Sequence, residues 1–188
     1  MTANKAGSRV RVQEPPPGLG GDVSISGGPA SAGEPTDSPP AMYESPIPLR
    51  KLRVRAAAVY CSDGRVGDQI DEFLHHILDT PLCDRLAIPG GPASMKFGSQ
   101  FPEETKGVGE QFRFLVRSRS LQQVVLIAHA PCMFYRQRLQ IPDSSQLARQ
   151  EEDLREAARV VRSFAPLLVA AYTARIVKAR VQFDSVSV

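Results

Sequence analysis

The chain has 188 residues, of which 42% are hydrophobic, and this length can bury one domain core. Its formal net charge of +3 comes from basic residues that are scattered without a dense block, so we do not expect nucleic-acid binding. No apolar run is long enough to span a bilayer, and the first residues lack the apolar segment of a secretory signal. We therefore expect a cytoplasmic protein that does not bind a membrane.

Residues 1–48 differ in composition from the rest of the chain. They contain nine of the sixteen prolines and seven of the fourteen glycines, and they show no periodic apolar pattern. Such a Pro/Gly/Ser-rich segment buries too little apolar surface to offset the entropy of ordering. We therefore predict a disordered tail followed by one domain over residues 49–188. The tail is either an arm for a protein partner or a spacer without a role.

The first half of the domain alternates short apolar runs with a helical pattern. Residues 53–60 predict a strand that is buried on both faces, because its apolar side chains do not alternate with polar ones. Residues 67–80 predict a helix, since apolar side chains recur there at helical spacing. Residues 84–88 predict a second strand, which ends in a turn where Gly90 and Gly91 are expected to adopt positive φ.

The second half continues the alternation. Residues 107–120 predict a helix, and residues 122–130 predict a third buried strand. Residues 144–165 predict a long helix that begins with a serine N-cap. Residues 176–184 alternate in polarity and predict a last strand at the sheet edge. The whole order predicts an α/β fold, with a mostly parallel β-sheet flanked by helices and an edge C-terminal strand.

Two of the three cysteines and a histidine stand at the ends of predicted strands. Cys61 follows the first strand, whereas His129 and Cys132 come at the end of the third. The carboxyl ends of parallel strands meet at one edge of a sheet, so we expect the three side chains to converge there. Two thiolates and one imidazole suit Zn²⁺ and leave one coordination position open. Widely spaced cysteines do not make a disulfide framework, which fits free thiols in a reducing compartment.

Asp63 and Arg65 lie directly after the first of these cysteines. A bidentate ion pair between them would hold the carboxylate away from the metal, which would then keep a water ligand. Without the pair, Asp63 could itself occupy the fourth position. An aspartate beside arginine stays ionised and can accept a hydrogen bond from a metal-bound hydroxide. The sequence leaves both arrangements open.

The motifs Cys61-Ser-Asp63-Gly-Arg65 and His129-x-x-Cys132 resemble those of the β-class carbonic anhydrases, and the resemblance covers nearly all of the predicted domain. It implies that the two cysteines and the histidine bind Zn²⁺ and that the Asp–Arg pair is catalytic. The implied reaction is the reversible hydration of CO₂ to bicarbonate by attack of zinc-bound hydroxide. The resemblance also implies a homodimer or higher oligomer, and either cytoplasmic bicarbonate supply or a bacterial microcompartment fits that reaction.

The residues after the second cysteine depart from the family pattern, which has glycine there. Met133, Phe134 and Tyr135 are bulky enough to narrow or reshape the pocket, and we expect the first two to line it. Two alternatives follow: a zinc-binding scaffold closed by Asp63 or blocked by Phe134 and Tyr135, and a related CS₂ or COS hydrolase. A cysteine phosphatase is disfavoured, since the Cys-x₅-Arg segment that ends at Arg138 contains no glycine.

Two further residues are expected to be structural. Cys83 has no ligand-type neighbour in the sequence and is expected to be a buried thiol. Met95 is expected to fill the core.

Overall fold

The structure, a computed structural model, describes residues 42–80, 82–96 and 101–188. Contacts divide the chain into two units, Met1–Pro48 and Leu49–Val188, and the helices and strands of the described residues lie in the second. Most of the predicted disordered tail lies outside the described residues, so its state and its partner stay predictions. Among the residues that the structure describes, none of the helices combines the length and the apolar character that a membrane span requires.

A five-stranded sheet forms the centre of the second unit. The strands are β1 (Ala56–Cys61), β2 (Cys83–Ile88), β3 (Gln123–Ala130), β4 (Leu168–Val177) and β5 (Arg180–Ser185). Their order across the sheet is β2-β1-β3-β4-β5. The first four strands are parallel, and β5 is antiparallel to β4. The predicted α/β fold with a mostly parallel sheet is confirmed.

Helical segments connect the strands. They are α1 (Gly67–Glu72), its π-helical continuation (Phe73–Ile77), a 3₁₀ turn (Gly91–Met95), α2 (Pro102–Arg119), a π-helical turn (Phe134–Arg138) and α3 (Asp143–Phe164). The helices predicted over 67–80, 107–120 and 144–165 are therefore all present. The two short helical segments that follow β2 and Cys132 were not predicted.

The sheet is covered on both faces, which explains the uninterrupted apolar runs of its central strands. Side chains alternate between faces along a strand. Accordingly, Ala57 and Val59 of β1 belong to a buried cluster with residues of α2 and α3. Ala58 and Tyr60 belong to a second cluster that contains the apolar side of α1 and its continuation. Met95 is buried in the first cluster, as the sequence predicts.

The end of the chain differs from the prediction of a single strand over residues 176–184. These residues contain the end of β4, a two-residue turn and most of β5. Lys178 and Ala179 form the turn with φ values of 48° and 61°, the backbone conformation that suits a tight hairpin. The strand prediction was wrong because neither residue is a usual turn residue. The edge position was predicted correctly, since β5 is the last strand of the sheet.

Two helix starts also differ from the predictions. The helix predicted over 107–120 begins earlier, at Pro102, because proline is favoured in a first turn and two glutamates there suit the helix dipole. The long helix begins at Asp143 with Pro142 at its N-cap. The predicted serine N-cap is therefore wrong, since Ser144 lies inside the first turn.

The turn after β2 passes very close to the end of β1. Gly90 and Gly91 have φ values of 77° and 54°, as expected from the sequence. A Cβ on Gly91 would lie 2.8 Å from the backbone nitrogen of Cys61. Only a residue without a side chain allows this approach, so Gly91 sets how closely the turn packs against Cys61.

We expect Gly91→Ala to lower the free energy of unfolding by about 1–3 kcal/mol, because alanine is strained at this φ and its Cβ meets strand backbone. Gly109→Ala in α2 is the matched control, since no atom lies within 4 Å of the added Cβ. There the loss of a helical glycine should stabilise the protein by up to about 1 kcal/mol. Urea unfolding followed by circular dichroism measures both. A change of the same sign in the two variants would contradict the packing argument.

Candidate metal centre

The three side chains that the sequence predicts as ligands lie together at the carboxyl edge of the sheet. Cys61 ends β1, His129 is the next-to-last residue of β3, and Cys132 comes two residues after the end of β3. One ligand atom from each residue lies within 4.8 Å of the others, and all three residues are buried. The arrangement arises because β1 and β3 are adjacent parallel strands.

The donor geometry fits a zinc ion. Two thiolates at ~2.3 Å from one tetrahedral zinc lie ~3.8 Å apart. The Sγ atoms of Cys61 and Cys132 are 3.8 Å apart, and both thiols are free. Neither ring nitrogen of the buried His129 has a hydrogen-bond partner among the described residues. A cation between the three residues would satisfy one of these nitrogens, whose burial without a partner is otherwise unfavourable.

The two thiols influence each other's ionisation. The nearby Cys132 thiol lowers the pKa of Cys61 by hydrogen bonding, and His129 lowers it further. The hydrogen bond to Cys61 in turn raises the pKa of Cys132, as do burial and the negative charge on Cys61. Two adjacent buried thiolates therefore need a compensating charge, and a divalent cation is the charge that lets both ionise.

Arg65 binds the Asp63 carboxylate from two sides. Its Nε donates to both carboxylate oxygens at 2.9 and 3.1 Å, and its Nη2 donates to Oδ2 at 2.5 Å. Its backbone N–H donates to Oδ1 at 3.0 Å. These bonds lower the pKa of Asp63 to about 2. The Oδ2 atom lies 3.8 Å from Nε2 of His129, so the ionised carboxylate borders the ligand group while arginine holds it.

A cavity of about 510 Å³ opens above the two cysteines. Its lining residues include Cys61, Ser62, Asp63, Arg65, Pro89, Cys132, Met133, Phe134, Gln137 and Arg138. Met133 and Phe134 thus line the cavity, as expected from the sequence. Tyr135 is absent from this lining: it is buried, and its hydroxyl donates to Asp153 Oδ2 at 2.7 Å.

Arg138 is engaged by residues of α2 and the segment before it. It forms an ion pair with Glu104, and its guanidinium lies 4.0 Å from the ring centroid of Phe101. The guanidinium of Arg138 is thus already paired with a carboxylate, although the residue also lines the cavity.

Three buried polar residues on α3 were not identified from the sequence. They are Gln146, Gln150 and Asp153. Their spacing continues the apolar stripe of α3 toward its N-terminus. This spacing is the sequence signal from which their burial could have been predicted. Asp153 accepts hydrogen bonds from Lys96 Nζ at 2.8 Å and Arg149 Nε at 2.9 Å, besides the tyrosine hydroxyl. It therefore ties α3 to the segments that follow β2 and Cys132.

No family model matches the chain, and no curated protein matches it. Among solved structures, the β-carbonic anhydrase of the fungal pathogen Aspergillus fumigatus aligns at 13% identity with a TM-score of 0.44, covering 70% of this chain and 76% of that one. A carbonic anhydrase from Glaciozyma antarctica aligns at 14% identity with a TM-score of 0.46, covering 70% of this chain and 82% of that one. A carbonic anhydrase from Streptococcus mutans aligns at 15% identity with a TM-score of 0.44, covering 72% of this chain and 82% of that one.

These neighbours are carbonic anhydrases, the class that the two sequence motifs resemble. The identities and TM-scores are low, so the functional argument rests on the chemistry of the metal centre.

We expect Lys96→Met to lower the free energy of unfolding by about 3 kcal/mol or more, because it leaves the Asp153 charge without its buried partner. The matched control is Arg149→Met, which removes a second cation from the same oxygen. The Lys96 side chain is 11% exposed, whereas that of Arg149 is 42% exposed and is screened by solvent. The control should therefore cost less than about 1 kcal/mol. Equal losses in urea unfolding would show that burial does not set the strength of these pairs.

Proposed function

We propose that the chain is a zinc-dependent carbonic anhydrase that hydrates CO₂ reversibly to bicarbonate. The observation that carries the proposal is the group of three buried ligands, Cys61, His129 and Cys132, beside an aspartate that an arginine holds in place. Bound zinc supplies a Lewis acid that lowers the pKa of a water molecule to about 7, which provides a nucleophile near neutral pH. The remaining roles belong to side chains of the chain itself.

Asp63 is proposed to orient the attacking water. Its carboxylate is ionised and borders His129, so it can accept a hydrogen bond from a water molecule at the ligand group. Arg65 fixes both carboxylate oxygens and so limits the directions in which Asp63 can accept. Orienting the nucleophile lowers the entropic cost of reaching the reactive geometry.

The cavity suits a small neutral substrate. Pro89, Met133 and Phe134 give it an apolar side, whereas Asp63 and Arg65 give it a polar side. CO₂ has no net charge and can rest on the apolar side while the polar side holds the water. The reaction CO₂ + H₂O → HCO₃⁻ + H⁺ then releases an anion and a proton through the open mouth of the cavity.

Zinc content and CO₂ hydration of the full chain test the proposal directly. We expect one zinc per chain and a stopped-flow hydration rate above that of buffer, on both sides of neutral pH, which is lost on chelation and restored by zinc. Zinc without any such rate would instead support the inactive scaffold. Absence of bound zinc would exclude both the carbonic anhydrase and the zinc-binding scaffold.

Three single cysteine variants test the ligand assignment, two at proposed ligands and one as a control. Cys61→Ser and Cys132→Ser each remove a ligand, so zinc affinity should fall by more than the roughly 10–100-fold that loss of an outer-sphere partner costs. Cys83→Ser should bind zinc like the wild type, because Cys83 lies half-buried in β2 and outside the ligand group. Equal affinity of all three variants would remove the cysteines from the site.

We expect Asp63→Asn to lower kcat for CO₂ hydration on the order of 10²-fold while zinc content stays the same, because an amide orients the water less well than a carboxylate. Arg65→Met should act in the same direction by releasing Asp63. The control is Asp84→Asn, which breaks an Asp–Arg pair of β2 with Arg119 at 3.1 Å, remote from the ligand group. Normal kcat in Asp63→Asn would remove this residue from the mechanism.

A further inference from the structure

The two glutamines of α3 are buried and bind the backbone of the segment that carries His129 and Cys132. Gln146 and Gln150 are both 0% exposed and lie one helical turn apart. Each makes its hydrogen bond to a different one of the two ligand residues. The helix thereby contacts both ligands without either glutamine being a ligand itself.

Gln146 holds Cys132 through its main chain. The Cys132 N–H donates to Gln146 Oε1 at 2.7 Å. The other end of the amide is also fixed, since Nε2 donates to Asp143 Oδ1 at 2.9 Å and to the Ile141 carbonyl at 3.3 Å. With its donors engaged there, the amide oxygen must face Cys132, so the side chain has one favourable orientation.

Gln150 also binds the main chain of a ligand residue, but as a hydrogen-bond donor rather than an acceptor. Its Nε2 donates to the His129 carbonyl at 2.6 Å. Its Oε1 is buried without a hydrogen-bond partner among the described residues. An unpartnered amide oxygen makes the burial of Gln150 unfavourable. Among the described residues, the hydrogen bond to the His129 carbonyl is the contact of the Gln150 amide that offsets part of this cost.

The two glutamines share a rigid support. Side chains four residues apart on a helix project from the same face with a fixed separation of about one 5.4 Å turn. Further along that face, Asp153 is held by Lys96, Arg149 and Tyr135. Since α3 cannot shift without breaking the bonds to Lys96 and Tyr135, the positions of both ligand backbones are tied to one rigid element.

We infer that Gln146 and Gln150 are positioning residues, which fix the separation of His129 and Cys132 and so preorganise the metal centre. The inference rests on the proposed zinc site. It extends that site to a helix that supplies none of the three ligand residues.

Zinc affinity of the full chain, measured by competition with a chromophoric chelator, tests the inference. Gln146→Met and Gln150→Met nearly keep side-chain volume but remove the bond to the ligand backbone. Each should weaken zinc binding by roughly 10–100-fold, as loss of an outer-sphere partner does. In the cobalt-loaded protein, the same variants should alter the thiolate-to-cobalt charge-transfer band, because the ligand geometry relaxes.

Val161→Ala is the matched control, since Val161 lies buried on the same helix but belongs to the apolar cluster. This variant should lower the melting temperature of the metal-free protein. Its zinc affinity and the spectrum of its cobalt-loaded form should stay unchanged. If a Met variant fails to fold, Gln146→Asn and Gln150→Asn keep a buried amide and shorten its reach by one methylene, and the same loss of affinity is expected.

Two results would overturn the inference: wild-type zinc affinity in the glutamine variants, or an equal loss of affinity in Val161→Ala. Failure of the proposed function looks different, because the wild-type chain itself would then bind no zinc or bind it without hydrating CO₂.

Discussion

The parallel pairing of β1 with β3 is the contact on which the candidate metal centre depends. Tyr60 lies opposite Ile127 in this ladder, so Cys61 reaches the carboxyl edge at the level where β3 delivers His129. A slip by one residue would turn every side chain of β1 to the opposite face. The two apolar clusters oppose such a slip, because each requires its own alternate residues of the strand. Core packing therefore sets the ligand geometry.

The polar groups behind the ligands show how this edge keeps its shape. Burying the Asp153 carboxylate costs desolvation free energy, and a buried ion pair by itself is weak evidence for stability. Here the carboxylate has three donors from three segments, so its bonds connect α3 with the segments that follow β2 and Cys132. Such a network specifies one arrangement of loops whose apolar contacts alone would permit several.

The buried strands and the convergence of Cys61, His129 and Cys132 could be predicted from the sequence because both leave local signals: uninterrupted apolar runs, and residues of ligand type at their ends. The hairpin of β4 and β5 could not, since Lys178 and Ala179 adopt positive φ although their side chains do not favour it. The glutamines of α3 were missed for another reason. Polar residues usually mark the exposed face of a helix, and only their register with Leu154 and its apolar neighbours reveals that they are buried.

The bulky segment after Cys132 shows how a departure from a motif is accommodated. Tyr135 turns into the interior toward Asp153, while Met133 remains 60% exposed at the cavity. Phe134 packs so closely against Gly90 that a Cβ there would lie 2.4 Å from its ring. Gly90 on the facing turn thus provides the space that the ring of Phe134 occupies. The cavity therefore stays open although the segment after Cys132 is bulky.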